Sequence, residues 1–184
     1  MPRYAFLVAL VVTASCSSDQ AAVETAAAPS STATTTLTCA DHGHPTTPPD
    51  EGDVNANGLT FGGVEPVHER PSSPVPVSDS ATEMFFEKVF VYVATSASAT
   101  TRMTVISPTD ALLYYAPPET WQSVIPAAVM IRDAVKSVTV SRCDSDLTGY
   151  FGGVLLSTGA CVEIKVEGDD AAATSVMLPL PGPC

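Results

Sequence analysis

From Met84 to Leu180 the chain is a succession of short runs in which apolar and polar residues alternate, each cut by glycine or proline. An amphipathic helix would repeat its apolar positions three and four apart, whereas a half-buried strand repeats them every second residue. The second pattern recurs, and no amphipathic helical stripe of three turns is found. After Cys161 the residues Val162, Glu163, Ile164, Lys165 and Val166 alternate, and Ser137 to Arg142 does the same with Val138 and Val140 on one face. The strongest β run is Met84 to Val93. It has Phe86, Lys88, Phe90 and Tyr92 on one side and Phe85, Val89, Val91 and Val93 mostly on the other, an imperfect alternation that suits a central strand with a bulge. Met103–Ser107, Ala111–Tyr115 and Ser175–Leu180 read as further strands, and Val129–Ile131 leans the same way. One helical turn is predicted from Glu119 to Val124 behind Pro118, and Gly168-Asp169-Asp170 supplies a turn. The predicted fold is all-β, an antiparallel β-sandwich, Ig-like or a small barrel.

The segment Arg142 to Val166 concentrates these features. Cys143 and Cys161 stand at the rims of two alternating runs, with Gly152-Gly153 between them. The glycine pair predicts a turn or bulge that needs positive φ. A bridge between these cysteines would close a loop of about 19 residues and constrain the unfolded chain by roughly 3 kcal/mol.

The N-terminus sets the compartment. Arg3 is followed by the apolar run Ala5 to Val12, too short to span a bilayer, and then by Thr13-Ala14-Ser15-Cys16. This resembles the lipobox of bacterial lipoproteins, with Thr13 where leucine is usual; the likeness implies a lipidated Cys16 and a membrane partner through that anchor. An ordinary secretory signal cut near Ala14 is the other reading. Residues 1–15 are thus read as signal peptide and 16–38 as a lipidated cysteine with a disordered Ala/Ser/Thr tether. Residues 39–79 read as an extended arm with turns, and 80–184 as the sandwich domain. Of five cysteines, Cys39, Cys143, Cys161 and Cys184 remain for disulfides in an oxidising compartment. The favoured pairing is Cys143–Cys161 with Cys39–Cys184, and Cys161–Cys184 is the main rival. No C-x-x-C spacing supports a zinc site.

A net charge of −12 repels phosphate backbones, so nucleic acid is excluded as a partner. Asp53, Asn55, Asn57 and Gly58 follow the D-x-N-x-N-G opening of a calcium loop, but Val64 stands where the closing ligand belongs, and Asn57-Gly58 reads more simply as a tight turn. His42 and His44 beside Asp41, with His68, are weak candidates for zinc or copper. No G-x-S-x-G or S-x-x-K occurs, and no histidine lies beyond His68. Gly62-Gly63 and Gly152-Gly153 lack the helix and lysine of a phosphate loop. Asp144/Asp146 and Asp169/Asp170 read as solvated turn residues. These features predict a protein that is not an enzyme and has no cofactor.

Cys143, Tyr150-Phe151-Gly152-Gly153-Val154, Cys161 and the closing Pro181-Gly182-Pro183-Cys184, with the lipobox, resemble small exported proteins and lipoproteins of high-GC Gram-positive bacteria. The resemblance implies an envelope location and no activity. It leaves two functional expectations. The first is a lipid-anchored module that binds an envelope protein or ligand through an exposed patch around Tyr114, Tyr115 and Trp121. The second is an extracytoplasmic protein that binds calcium, zinc or copper.

Overall fold

The computed structural model describes residues 33–43, 49, 53–62, 74–75, 84–122, 131–157 and 160–180. Strands account for most of them. β1 (Thr34–Leu37), β9 (Ser137–Ser141), β7 (Thr100–Ser107), β12 (Ala160–Gly168) and β13 (Ala171–Leu180) form a five-stranded sheet in the order β1-β9-β7-β12-β13. A second sheet runs β10 (Leu147–Tyr150), β6 (Phe90–Ala94), β3 (Leu59–Gly62) and β2 (Val54–Ala56). A third runs β4 (Pro74–Val75), β5 (Met84–Lys88), β11 (Gly152–Leu156) and β8 (Leu112–Tyr115). Every pairing is antiparallel except β1 on β9. This is the all-β, sandwich-like architecture expected, open rather than closed into a barrel.

Alternation accounts for the packing. The five-stranded sheet turns Leu37, Val138, Val140, Met103, Val105, Val162, Ile164, Val166, Val176, Leu178 and Leu180 inward. The facing sheets contribute Leu59, Phe61, Val91, Val93, Tyr150, Val154, Leu156, Leu113 and Tyr115 to the same core. Each such aliphatic side chain, once buried, stabilises the fold by about 1.5–3 kcal/mol.

Several expectations are corrected. Met84 to Val93 is two strands in two sheets, broken at Val89. The partner strand breaks opposite it, at Phe151, so β5-β6 and β11-β10 bend together. The bend is fastened by the Val89 N–H, which donates to the Gly152 carbonyl at 3.0 Å, and by the Tyr115 hydroxyl, which donates to the Val89 carbonyl at 2.9 Å. Gly152 and Gly153 make no turn and neither has positive φ; they lie within β11. Their need is for space. A Cβ on Gly153 would overlap the Glu87 carbonyl oxygen and come within 2.7 Å of the Phe86 ring, and one on Gly152 would overlap the Tyr115 ring. Ile131 to Asp133 are helical, so the strand expected through Ile131 is absent there; Val129 and Met130 lie outside the described residues. The helical turn behind Pro118 is present as a 3-10 segment, Pro118–Gln122.

Order also begins earlier than expected. β1 lies inside the stretch read as disordered tether, and β2 and β3 lie inside the stretch read as an extended arm. Thr34-Thr35-Thr36 is β-branched and so suited to a pleated strand, and Leu37, 3% exposed, fills the core in line with Val140. β1 is nonetheless weakly held by burial alone. Seating Leu37 contributes about 2 kcal/mol, while ordering four backbones costs roughly 4–8 kcal/mol. Ladder hydrogen bonds and a covalent bridge beyond its end make up the difference.

That bridge is Cys39–Cys143, with Cα atoms 5.6 Å apart, and it overturns both favoured pairings. Parallel pairing of Leu37 with Val140 carries Cys39 alongside Arg142 and Cys143. Cys161, by contrast, precedes Glu163, which pairs with Ser107, whereas β9 runs past Thr100 toward Cys143. Cys143 and Cys161 therefore stand off opposite ends of β7, roughly 23 Å apart at about 3.3 Å per residue, beyond a disulfide's reach of about 7 Å. Cys161 is also disulfide-bonded, to a partner outside the described residues.

Candidate functional site

Among the described residues, those singled out in the sequence are not gathered into one place. His42 is half-buried and donates through Nδ1 to the Cys39 carbonyl at 2.5 Å. His44, His68, Cys16 and Cys184 lie outside the described residues. Asp53, Asn55 and Asn57 belong to the β2–β3 hairpin. Asn57 (φ 46°) and Gly58 (φ 78°) form its turn, as the simpler reading expected. The side-chain amides of this segment are engaged. Asn55 Nδ2 donates to the Asp53 carbonyl at 3.1 Å and its Oδ1 accepts from the Thr60 hydroxyl at 2.5 Å. Asn57 Nδ2 donates to the Val166 and Ala172 carbonyls, both at 2.9 Å, and Oδ1 accepts from Thr174 at 3.2 Å. Asn57 thus clamps the β12–β13 hairpin, in a role that the ligand spacing concealed. Among the described residues no three His, Cys, Asp or Glu side chains are grouped to hold a metal.

The aromatic patch expected around Tyr114, Tyr115 and Trp121 is mostly interior. Tyr114 is 5% and Tyr115 6% exposed. The two point to opposite faces of β8, as period 2 requires. Tyr115 enters the main core, and burial pushes its phenol far above the usual range. Tyr114 joins Leu112, Ala116, Ala134 and Leu155 in a second cluster on the outer face of the third sheet. Trp121, half-buried, closes this cluster. Its ring stacks on Phe86 at 5.7 Å and 25°, meets Tyr114 at 5.7 Å and 69°, and its Nε1 donates to the Ala116 carbonyl at 3.2 Å. Such stacked and edge-on contacts contribute beyond area burial.

A polar cleft of about 220 Å³ went unread in the sequence. It lies on the outer face of the five-stranded sheet, lined by Thr100, Arg102, Thr139, Glu167, Gly168 and Asp169. Strand register builds it: Thr139 pairs with Arg102, and Arg102 with Glu167. Each is the outward partner of a buried neighbour, Val138, Met103 and Val166. Along the same face Thr34, Ser137, Thr104, Lys165 and Ser175 form one row across all five strands. The Thr104 and Ser137 hydroxyls are 2.8 Å apart and hydrogen-bonded. In the cleft the Thr100 hydroxyl donates to Asp169 Oδ2 at 2.6 Å, and Lys165 Nζ pairs with Glu167 Oε1 at 2.6 Å. The lining offers donors and acceptors to a polar ligand, and its carboxylates already have partners. The signal that could have found it is the outward half of each alternating run, which takes on meaning only when the strands are set in register.

At the opposite end of this sheet, the turn after β7 is fixed by charge. Lys136 Nζ donates to the Thr109 and Ala111 carbonyls, each at 2.5 Å, and burial lowers its pKa. The Asp110 carboxylate accepts from the Ser157 hydroxyl and N–H, and the hydroxyl bond holds its pKa below the usual carboxylate range. Comparison with known protein families, characterised proteins and solved structures finds no match.

Proposed function

We propose that this chain is a lipid-anchored protein of the bacterial cell envelope, fixed through Cys16, whose sandwich is a non-catalytic binding module for an envelope protein or ligand. The observation that carries the reading is the Cys39–Cys143 disulfide. A disulfide persists in an oxidising, extracytoplasmic compartment, which agrees with the export signal read at the N-terminus. The bridge also lies at the right point in the chain. It fastens β1, the described strand nearest to Cys16 in sequence, to the body of the sheet. We assign the second bridge to Cys161 and Cys184, because β13 runs antiparallel to β12 with Pro179 opposite Cys161, and Cys184 comes shortly after.

Fatty-acid labelling of the full chain and of Cys16→Ala tests the anchor. The wild type is expected to take up label and fractionate with membrane, and the variant to do neither. Labelling of both, or of neither, overturns the anchored reading. Cross-linking in intact envelopes with subsequent identification of the adducts tests the binding role. A reproducible adduct lost in Arg102→Ala would locate it to the polar cleft, and the absence of any adduct would count against a binding module.

A further inference from the structure

The structure assigns to the Cys39–Cys143 bridge a role as a redox latch: a small or protein-borne dithiol that opens it releases β1 from the sheet while the sandwich stays folded. Three observations carry this. First, β1 is an edge strand whose ladder runs to β9 alone among the described strands, and only Leu37 of its four side chains is buried. Second, the segment just beyond Cys39 is fixed independently of the bridge. Thr38 and Asp41 close their own turn, with Asp41 Oδ2 accepting from the Thr38 N–H at 2.8 Å and from its hydroxyl at 2.9 Å. The chain is then pinned to the body at Gly43, whose N–H donates to the Gly149 carbonyl at 2.8 Å; any Cβ on Gly43 would overlap the Phe151 ring. Loss of the bridge therefore frees the chain only as far as that pin. Third, the bridge is open to attack from one side. Cys39 is exposed, whereas Cys143 is half-buried, its Sγ 3.8 Å from the Tyr150 hydroxyl.

The chemistry balances as a dithiol exchange. A thiolate of the reductant attacks Sγ of Cys39, the Cys39–Cys143 bond breaks, and Cys143 leaves as the thiolate. The second thiol of the reductant then attacks the mixed disulfide and releases Cys39. The reductant ends as its own disulfide, having passed two electrons and two protons to the two cysteines. Release bares the β9 edge and lengthens the N-terminal connection by about ten residues, roughly 30 Å when extended. The latch does not depend on what the module binds; only the meaning of the added reach rests on the anchored reading.

Amide hydrogen exchange on the mature protein tests it. The oxidised wild type is compared with Cys39→Ser/Cys143→Ser, which keeps the Cys161 bridge. Residues 34–37 are expected to exchange at least about tenfold faster in the variant, with Thr101–Val105 and Val162–Val166 within about twofold of wild type. Unchanged protection of β1, or loss of protection in all strands together, would overturn the latch. A titration of the wild type with dithiothreitol, with alkylation and peptide mapping, gives a second readout should the variant fail to fold. Cys39 and Cys143 are expected to label before Cys161, and labelling of Cys161 first would refute the assignment.

Discussion

Gly153 sits where three strands converge, opposite Lys88 of β5 and Tyr114 of β8. In Gly153→Ala the new methyl group would overlap the Glu87 carbonyl oxygen and press on the Phe86 ring at 2.7 and 2.8 Å. The ring can tilt, but the carbonyl belongs to the backbone of a paired strand, and relief requires β5 to move by roughly 1 Å to restore van der Waals distance. Overpacking of this kind costs about 1–3 kcal/mol, and weakening the flanking ladder bonds adds about 1 kcal/mol. We expect Gly153→Ala to lose about 3 kcal/mol, a shift of roughly 10 °C in Tm for a chain of this size. The milder comparison is Gly168→Ala, where the methyl group meets the Ser98 hydroxyl, which can rotate away, the Ser98 Cβ at 3.0 Å and the Ala171 Cβ at 3.6 Å; its cost should stay near the low end of overpacking, about 1 kcal/mol. Urea unfolding of the oxidised proteins, monitored by fluorescence of the single tryptophan, Trp121, reads the region directly, because its ring stacks on the Phe86 that must move. A Gly153→Ala variant within about 1 kcal/mol of wild type, or a Gly168→Ala variant equally damaged, would refute the close-approach account.

Thr101 is 1% exposed and its hydroxyl has no hydrogen-bond partner among the described residues; replacing it by valine keeps the shape, so Thr101→Val should raise stability by about 1 kcal/mol, measured by thermal unfolding, and a loss would show a partner outside them. Asn57→Ala removes three bonds to the β12–β13 hairpin and a residue that tolerates positive φ, for an expected cost of about 2–3 kcal/mol. Asn57→Gly keeps the turn and should recover about 1 kcal/mol of that; equal urea midpoints for the two would contradict the strain component. Burial raises the phenol pKa values of Tyr114, Tyr115 and Tyr150, the last to about 12. In the unfolded chain these groups ionise near their ordinary value of about 10, so the unfolded state binds fewer protons above that pH and stability falls as pH rises from about 10 to 12. Phenolate absorbance in a native pH titration should therefore lag that of the urea-unfolded protein, and coincident curves would refute it.

The strands are largely legible because alternation is a local signal: Val162 to Val166 and Val138 to Val140 show it within five residues. The joins between strands are not. The break at Val89 and its match at Phe151 arise from pairing between segments some sixty residues apart, and nothing in Phe85 to Val93 marks where one sheet ends. β1 escapes a sequence reading because Thr-Thr-Thr-Leu has a single apolar residue, and its place is decided by β9. The disulfide is misread for the same reason: closeness in sequence favours Cys143 with Cys161, while strand direction puts them off opposite ends of β7. Tyr114 and Tyr115 show the reverse failure, since neighbouring aromatic residues suggest a surface patch although both faces of that strand are covered. The polar cleft leaves no trace, because Arg102, Thr139 and Glu167 are ordinary outward residues until register sets them side by side.

The separation of 104 residues between Cys39 and Cys143 also orders events in assembly. A chain threaded outward from its N-terminus presents Cys39 long before β9 exists, so its thiol must wait for most of the domain to emerge. Yet Cys143 is the next cysteine to arrive. With Cys16 taken by lipid, as proposed above, an oxidising machinery that joins thiols in order of appearance would reach the native bridge without first making a wrong one. Cysteine order along the chain thus does the work that a disulfide-shuffling catalyst does in proteins whose bridges cross.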